Sequence, residues 1–176
     1  MDSFHDLLIN RRSIRRYTSE PVDPQHVRLI LEAALMAPSS KSVRPWQFVV
    51  VEDKAVLAEL SQCKPAYATS LLTAPLAIVV TADTTKSDVW VEDASIAAML
   101  MQLQAADLGL GSCWVEVRER FRADGEPSEE YVRQVLGIPE EFGVPCIITV
   151  GHKDEERKPI NTEKLLWEKV HIGKWQ

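Results

Sequence analysis

An apolar stretch in the second half of the chain has the largest structural consequence. It reads Ala94-Ser95-Ile96-Ala97-Ala98-Met99-Leu100-Met101-Gln102-Leu103-Gln104-Ala105-Ala106-Asp107-Leu108. A helix that is apolar on nearly every side must be covered on every side. Burial inside one domain covers part of such a helix, and a second copy of the chain would cover the rest, because obligate dimer interfaces resemble a protein core. The stretch predicts a long central helix and favours a homodimer over a monomer.

Shorter helices and strands are predicted on both sides of this helix. Capping and periodicity predict helices over about 3–11, 24–37 and 128–136, another after Asp53, and the long helix from Ser87 or Asp88 to about Leu108. Runs of β-branched and aromatic residues predict strands at 46–51, 76–81, 113–117 and 145–150. Interleaved helices and short strands indicate an α+β or α/β domain around one small sheet.

Composition narrows the class of protein. The 176 residues suffice for one domain, and a net charge of -6 argues against general nucleic-acid binding. Cys63, Cys113 and Cys146 form no CxxC pair and predict free thiols in a reducing compartment. No leader-like or membrane-length apolar run is present, so we expect a cytoplasmic protein. The four histidines are scattered, so we expect no metal site.

An arginine cluster near the start indicates an anion. Four of the eleven arginines lie in Arg11-Arg12-Ser13-Ile14-Arg15-Arg16. Such a cluster repels itself, and guanidinium forks suit phosphate oxygens. The alternative is a solvated helix C-terminus, where arginines meet the negative end of the dipole.

Two further segments suit a flat, phosphate-bearing ligand. The first is Pro38-Ser39-Ser40-Lys41-Ser42-Val43-Arg44-Pro45-Trp46, whose hydroxyls and amides could bind a polar ring edge; the alternative is a plain capped loop. In the second, Gly109 to Glu116, two glycines let the backbone approach something flat, and the alternative is a tight helix-to-strand turn.

Together these three segments resemble the nitroreductase family of FMN-dependent oxidoreductases. The order and spacing of Arg-Arg-Ser-Ile-Arg, Ala-Pro-Ser-Ser with Arg-Pro-Trp-Gln-Phe, and Gly-Leu-Gly-Ser-Cys-Trp-Val match over essentially the whole chain. The resemblance implies an α+β fold with a central mixed β-sheet flanked by helices. It also implies an intertwined homodimer with two FMN sites at the dimer interface, each built from both chains.

The resemblance also implies roles for individual residues. The arginine motif would hold the FMN phosphate and ribityl end, the Pro-Ser-Ser loop would contribute in part from the other subunit, and the segment after the long helix would lie along the flavin ring. Near the C-terminus, Arg157 or Lys158 would add a basic group at the phosphate. The implied cofactor-binding residues are Arg11, Arg12, Ser13, Arg15, Pro38, Ser39, Ser40, Ser42, Trp114, Val115, Glu116, Arg157 and Lys158.

Ser42 stands where the family frequently has asparagine. Residues 1–176 would form a single FMN-binding domain that ends in a C-terminal arm over about 160–176. We expect Trp167 and Trp175 to anchor this arm on the partner subunit; the alternative is packing on its own domain.

The implied activity uses no catalytic side chain. Hydride passes from NADH or NADPH through flavin N5 to a small electron-poor acceptor, such as a nitroaromatic compound or a quinone, in a ping-pong cycle. Two alternatives remain. One is a related flavin reaction, reductive dehalogenation or dehydrogenation, and the other is a non-catalytic FMN-binding protein.

Overall fold

The computed structural model describes residues 3–175, and its centre is a four-stranded sheet. The strands are β1 (Trp46–Val51), β2 (Leu76–Asp83), β3 (Gly111–Glu116) and β4 (Phe142–Gly151). They lie in the order β1-β2-β4-β3, and each neighbouring pair is antiparallel. An isolated bridge between Ser13 and Ser112 adds one parallel contact beside β3.

Six α-helices in the described chain surround the sheet. They are α1 (Phe4–Asn10), α2 (Pro24–Leu35), α3 (Lys54–Leu60), α4 (Ser70–Thr73), α5 (Trp90–Asp107) and α6 (Ser128–Leu136), with short 3₁₀ turns at Ser40–Ser42, Ser61–Cys63, Thr162–Lys164 and Trp167–Lys169. The carboxylates of Asp23 and Asp53 accept backbone N–H groups in the first turns of α2 and α3. These two helices therefore begin at the caps that the sequence predicts.

Alternate residues of β2 supply two hydrophobic layers, because successive side chains of a strand point to opposite faces. Leu76, Ile78 and Val80 pack in a cluster with α2 and α5. Ala77 and Val79 pack on the other side, with α3 and α6. All eight residues of β2 are buried. The sheet is thus covered by helices on both faces.

Helix α5 is only partly covered by its own chain. Ala94, Ala98 and Met101 are fully buried, but Ile96 keeps 42% of its surface exposed. The helix begins at Trp90 rather than at Ser87 or Asp88. The reason is the carboxylate of Asp93, which accepts the buried Ser87 hydroxyl at 3.2 Å and, from a distant loop, the Ser40 N–H at 2.8 Å. These contacts hold the residues before Trp90 in a turn.

Strand β4 begins at Phe142 and includes Pro145, whereas the sequence predicts a start at residue 145. The pairing between β2 and β4 shifts register between Val80 and Ala82, close to this proline. A proline fits inside a strand at such an irregularity because its missing N–H leaves no ladder bond broken. The strand therefore continues through it.

The C-terminal segment 160–175 lies away from the domain to which it belongs. The Ile160 N–H donates to the Ile9 carbonyl at 2.9 Å, and beyond this point nearly every residue is exposed. Trp167, Ile172 and Trp175 keep 70%, 89% and 87% of their surface exposed. Packing of the arm on its own domain is therefore not what the structure shows.

Between residues 3 and 175, none of the helices combines the length and the apolar character that a membrane crossing requires.

Candidate cofactor site

A cleft of about 670 Å³ lies where the segment after α1 meets the segment after β4. Arg11 and Arg12 enter it from one side, and Lys153 and Arg157 from the other. The remaining lining residues are Leu7, Asn10, Ile14, Ala106, Leu110, Ser112, Asp154, Glu155 and Glu156. Its volume is within the range of about 300–1,000 Å³ that is usual for small-molecule sites.

The arginine cluster is extended rather than helical. Helix α1 ends at Asn10, and Arg11 is its C-terminal cap with φ -65° and ψ 122°. From there Ile14 and Tyr17 are buried, while Arg15 and Arg16 are exposed. Interaction with a helix dipole falls off within the last turn and therefore does not account for the whole cluster.

Backbone contacts tie this segment to the sheet. The Ile14 N–H donates to the Ser112 carbonyl at 2.9 Å. Tyr17 bridges antiparallel to Lys153, and the Thr18 N–H donates to the His152 carbonyl at 3.0 Å. Residues 13–18 therefore lie beside the start of β3 and the end of β4, which brings the two cationic segments together.

The buried hydroxyl of Tyr17 joins residues 13–18 to β4. It donates to the Ile14 carbonyl at 2.5 Å and lies 2.9 Å from Thr149 Oγ1. Burial raises the pKa of Tyr17 well above its usual value, although the hydrogen bond with Thr149 opposes this effect. The phenol is therefore a neutral structural anchor at physiological pH.

The two glycines after α5 serve the chain's own packing. Gly109 has a φ of +79°, which is typical of the turn that ends a helix. A Cβ on Gly111 would lie 2.9 Å from Ile14 Cβ, closer than such atoms can approach. Gly109 therefore fits the alternative of a tight helix-to-strand turn. The space beside Gly111 is occupied by Ile14 rather than by a flat ligand.

A carboxylate joins the two cationic segments. Glu155 Oε1 accepts the Arg15 N–H, and Glu155 Oε2 lies 2.8 Å from Arg157 Nη2. Burial alone would raise the pKa of Glu155, but the N–H groups of Arg15 and Arg16 and the guanidinium of Arg157 outweigh it. The pKa therefore lies below its ordinary value.

The predicted phosphate-binding residues are placed unequally around the cleft. Arg11, Arg12 and Arg157 line it, and Ser13 lies next to it through its bridge to Ser112. Arg15 has an exposed side chain outside the lining, and Lys158 contributes its carbonyl, which accepts from Arg12 Nη1. Lys153 lines the cleft as well, although the sequence did not single it out from its neighbours.

The Pro-Ser-Ser loop lies outside this cleft. None of Pro38, Ser39, Ser40 and Ser42 lines it. The Ser40 N–H donates to the buried carboxylate of Asp93 at 2.8 Å, which attaches the loop to α5. Lys41, Ser42 and Arg44 all have positive φ, at 50°, 54° and 51°. Three strained residues in one loop, stabilised by contacts to the fold, are typical of functional segments.

Residues 114–116 continue β3 away from the cleft. Trp114 Nε1 donates to Glu116 Oε2 at 2.8 Å, so these two side chains stabilise each other. The Val115 side chain is fully buried in the core, which leaves its backbone as the part available to a ligand. Because β3 is an edge strand of the described sheet, alternate backbone groups face away from β4.

Across residues 3–175, no group of three or more His, Cys, Asp or Glu side chains is arranged to hold a metal ion.

The family model described as "Nitroreductase family" matches residues 8–64 and 61–152. The chain is 49% identical to a solved structure described as an FMN-dependent nitroreductase from Clostridium difficile R20291. The two superpose with a TM-score of 0.94 over 96% of this chain and 98% of that one.

Two sequence relatives extend the comparison. A protein of Archaeoglobus fulgidus with the provisional name NADH dehydrogenase/NAD(P)H nitroreductase is 34% identical over 99% of this chain and 100% of its own length. A protein of Thermus thermophilus named NADH dehydrogenase is 28% identical over 86% of this chain and 87% of its own length.

Proposed function

Because the chain belongs to the nitroreductase family, we propose that it is an FMN-dependent oxidoreductase that uses NADH or NADPH to reduce small electron-poor acceptors. Nitroaromatic compounds and quinones are the acceptors that fit this proposal. The observation that carries it is the cleft in which Arg11, Arg12 and Arg157 meet, since a phosphate-bearing cofactor needs such a cationic site.

The residues of the cleft fit FMN. Its phosphate is a dianion at neutral pH, and three arginines and Lys153 line the cleft. Glu155, one of the three carboxylates there, is already bound to Arg157 and to a backbone N–H. The apolar side chains of Leu7, Ile14 and Leu110 line the same cleft and suit the uncharged part of a ligand. FMN supplies the hydride chemistry when it is bound.

The chain's own residues would bind and orient the cofactor. We assign Arg11, Arg12 and Arg157 to the phosphate, with Ser13 beside them, and keep Arg15 and Lys158 as further candidates. Backbone N–H groups on the outer edge of β3, at residues 114–116, would donate to the ring edge. The loop residues Pro38, Ser39, Ser40 and Ser42 would complete the site of a partner subunit.

We propose that the functional unit is a homodimer. Ile96 on α5 and Phe4 on α1 are large apolar side chains with 42% and 64% of their surface exposed. The described part of the arm, 160–175, carries further apolar side chains that its own domain leaves exposed, and a partner subunit would bury them. The Pro-Ser-Ser loop lies outside the cleft of its own chain, as expected if it contributes to the FMN site of the partner subunit.

We also propose a cytoplasmic location and a ping-pong cycle. Cys63, Cys113 and Cys146 are buried free thiols, which suits a reducing compartment. The ping-pong order is proposed because a bound flavin would carry the electrons from the nicotinamide to the acceptor, so the two substrates need not be bound together.

The proposal is tested by reconstitution and anaerobic reduction. The purified chain should bind FMN and become yellow, and NADH or NADPH should bleach it; a nitroaromatic compound or a quinone should then restore the colour. A chain that cannot be reconstituted with FMN contradicts the proposal. FMN-loaded protein that neither nicotinamide reduces is instead a flavin-binding protein.

A further inference from the structure

Three carboxylates line a cleft that is expected to bind an anion. Asp154, Glu155 and Glu156 follow one another between Lys153 and Arg157. A carboxylate close to a phosphate repels it, so each of the three should weaken binding if proximity were its only effect. Their structural environments differ.

Glu155 is the most enclosed of the three carboxylates that line the cleft. Its side chain keeps only 10% of its surface exposed, against 43% for its partner Arg157. Each carboxylate oxygen has a separate partner: Oε1 accepts the Arg15 N–H and Oε2 binds the Arg157 guanidinium. One side chain therefore joins the backbone of the arginine cluster to an arginine from the other side of the cleft.

Glu156 offers a direct comparison one residue further along. It lines the same cleft and is exposed. Within residues 3–175 its carboxylate makes no hydrogen bond and no ion pair. Its negative charge therefore lies at the cleft without the two contacts that hold Glu155.

We propose that Glu155 is a positioning residue for the cofactor phosphate, so that its negative charge strengthens anion binding rather than weakening it. It holds the Arg157 guanidinium at the cleft and fixes the backbone of residues 15 and 16 against the segment after β4. The ion pair with Glu155 restricts the Arg157 side chain before the phosphate binds. Phosphate binding therefore costs less conformational entropy. This inference rests on the proposed FMN-binding function.

Replacing each glutamate in turn tests the proposal, because the direction of the change in the Kd for FMN distinguishes a positioning residue from a simple like charge. The full chain, freed of flavin, is titrated with FMN and with riboflavin, which lacks the phosphate, for the wild type and for Glu155→Gln and Glu156→Gln. Both substitutions remove one negative charge from the cleft and are nearly isosteric. We expect Glu155→Gln to raise the Kd for FMN about tenfold, as for loss of a charge-assisted contact, and to change the Kd for riboflavin less than twofold. Glu156→Gln should leave the Kd for FMN unchanged or lower it.

Three results would overturn the inference. Glu155→Gln could bind FMN as tightly as the wild type or more tightly, which would make Glu155 a simple like charge. It could lose FMN and riboflavin affinity equally, which would indicate a general structural defect. Glu155→Asp, which keeps the charge on a shorter side chain, could bind FMN no better than Glu155→Gln. Failure of the wild type to bind FMN would instead contradict the proposed function, and thermal unfolding of each variant identifies any that does not fold.

Discussion

Arg12 donates a hydrogen bond through Nη1 to the backbone carbonyl of Lys158, a residue 146 positions further along the chain. This contact joins the two ends of the sequence at the cleft and leaves Arg12 among its lining residues. The cationic cleft is therefore made by the tertiary contact of two segments that are distant in sequence and that each supply part of its positive charge.

Replacing Arg12 should weaken the cofactor site selectively. Arg12→Ala removes a cleft-lining guanidinium and the link to the segment 153–158, so we expect the Kd for FMN to rise tenfold or more, as for loss of a charge-assisted hydrogen bond of about 1.5–3 kcal/mol. Fluorescence titration measures the change. The matched control is Arg16→Ala, because Arg16 is exposed and does not line the cleft, and its Kd should stay within about twofold of the wild type. Equal effects of the two substitutions would remove the basis for assigning Arg12 to the phosphate.

Tyr17→Phe should destabilise the domain. The change leaves the buried Ile14 carbonyl and Thr149 Oγ1 without the phenol, and an unsatisfied buried polar group costs about 1–3 kcal/mol. The free energy of unfolding, measured with urea, should fall by that amount. Tyr67→Phe is the matched control, since Tyr67 keeps 81% of its surface exposed and the same change there should stay within about 0.5 kcal/mol. An unchanged stability of Tyr17→Phe would show that the hydroxyl does not anchor the segment.

The pH dependence of stability should report the ion pair of Glu155. Its pKa in the folded chain lies below the ordinary value of 4.5, so its contribution to stability is present above that value and is lost as the pH falls through the folded pKa. The difference in unfolding free energy between the wild type and Glu155→Gln should therefore be constant near neutral pH and shrink in acid. If the stability difference between the wild type and Glu155→Gln grew as the pH fell, the result would contradict a stabilising ion pair of Glu155.

Substitutions in the arm should shift the monomer–dimer equilibrium. Trp167→Ser and Ile172→Ser each remove a large exposed apolar side chain whose burial is worth about 1.5–3 kcal/mol, so the dimer dissociation constant should rise about tenfold or more for each. Sedimentation velocity at several concentrations measures it. Lys164→Ser, a polar exposed residue of the same arm, should leave the constant nearly unchanged. A wild type that sediments as an FMN-loaded monomer at micromolar concentration would contradict the shared site.

Local signals predicted much of the fold, and tertiary contacts account for the differences. Strand β1 and helix α6 have the predicted bounds of 46–51 and 128–136, because β-branched runs and turn residues act over short distances. The start of α5 depends instead on Asp93, whose carboxylate accepts both the Ser87 hydroxyl and the distant Ser40 N–H, and the length of β4 depends on a register shift opposite Val80. Neither is visible in a local pattern.

The candidate site divides in the same way. The clustering of Arg11 and Arg12 is evident from the sequence, and the resemblance supplied Arg157. The contacts of Glu155 depend on the pairing of residues 16–18 with 152–154, which has no local signature. A glutamate among cations that we assign to a phosphate is also unexpected from charge alone. The need for glycine at position 111 likewise depends on its tertiary contact with Ile14, which no local pattern predicts.

The decisive measurement is the affinity of the flavin-free wild-type chain for FMN relative to riboflavin, because the two ligands differ only in the phosphate that the arginine cleft would bind. FMN should bind at least a hundredfold more tightly than riboflavin, as expected for two or more charge-assisted contacts of about 1.5–3 kcal/mol each, and the ratio should fall as salt is added. Equal affinities for FMN and riboflavin, or no binding of either, would contradict the proposed phosphate site.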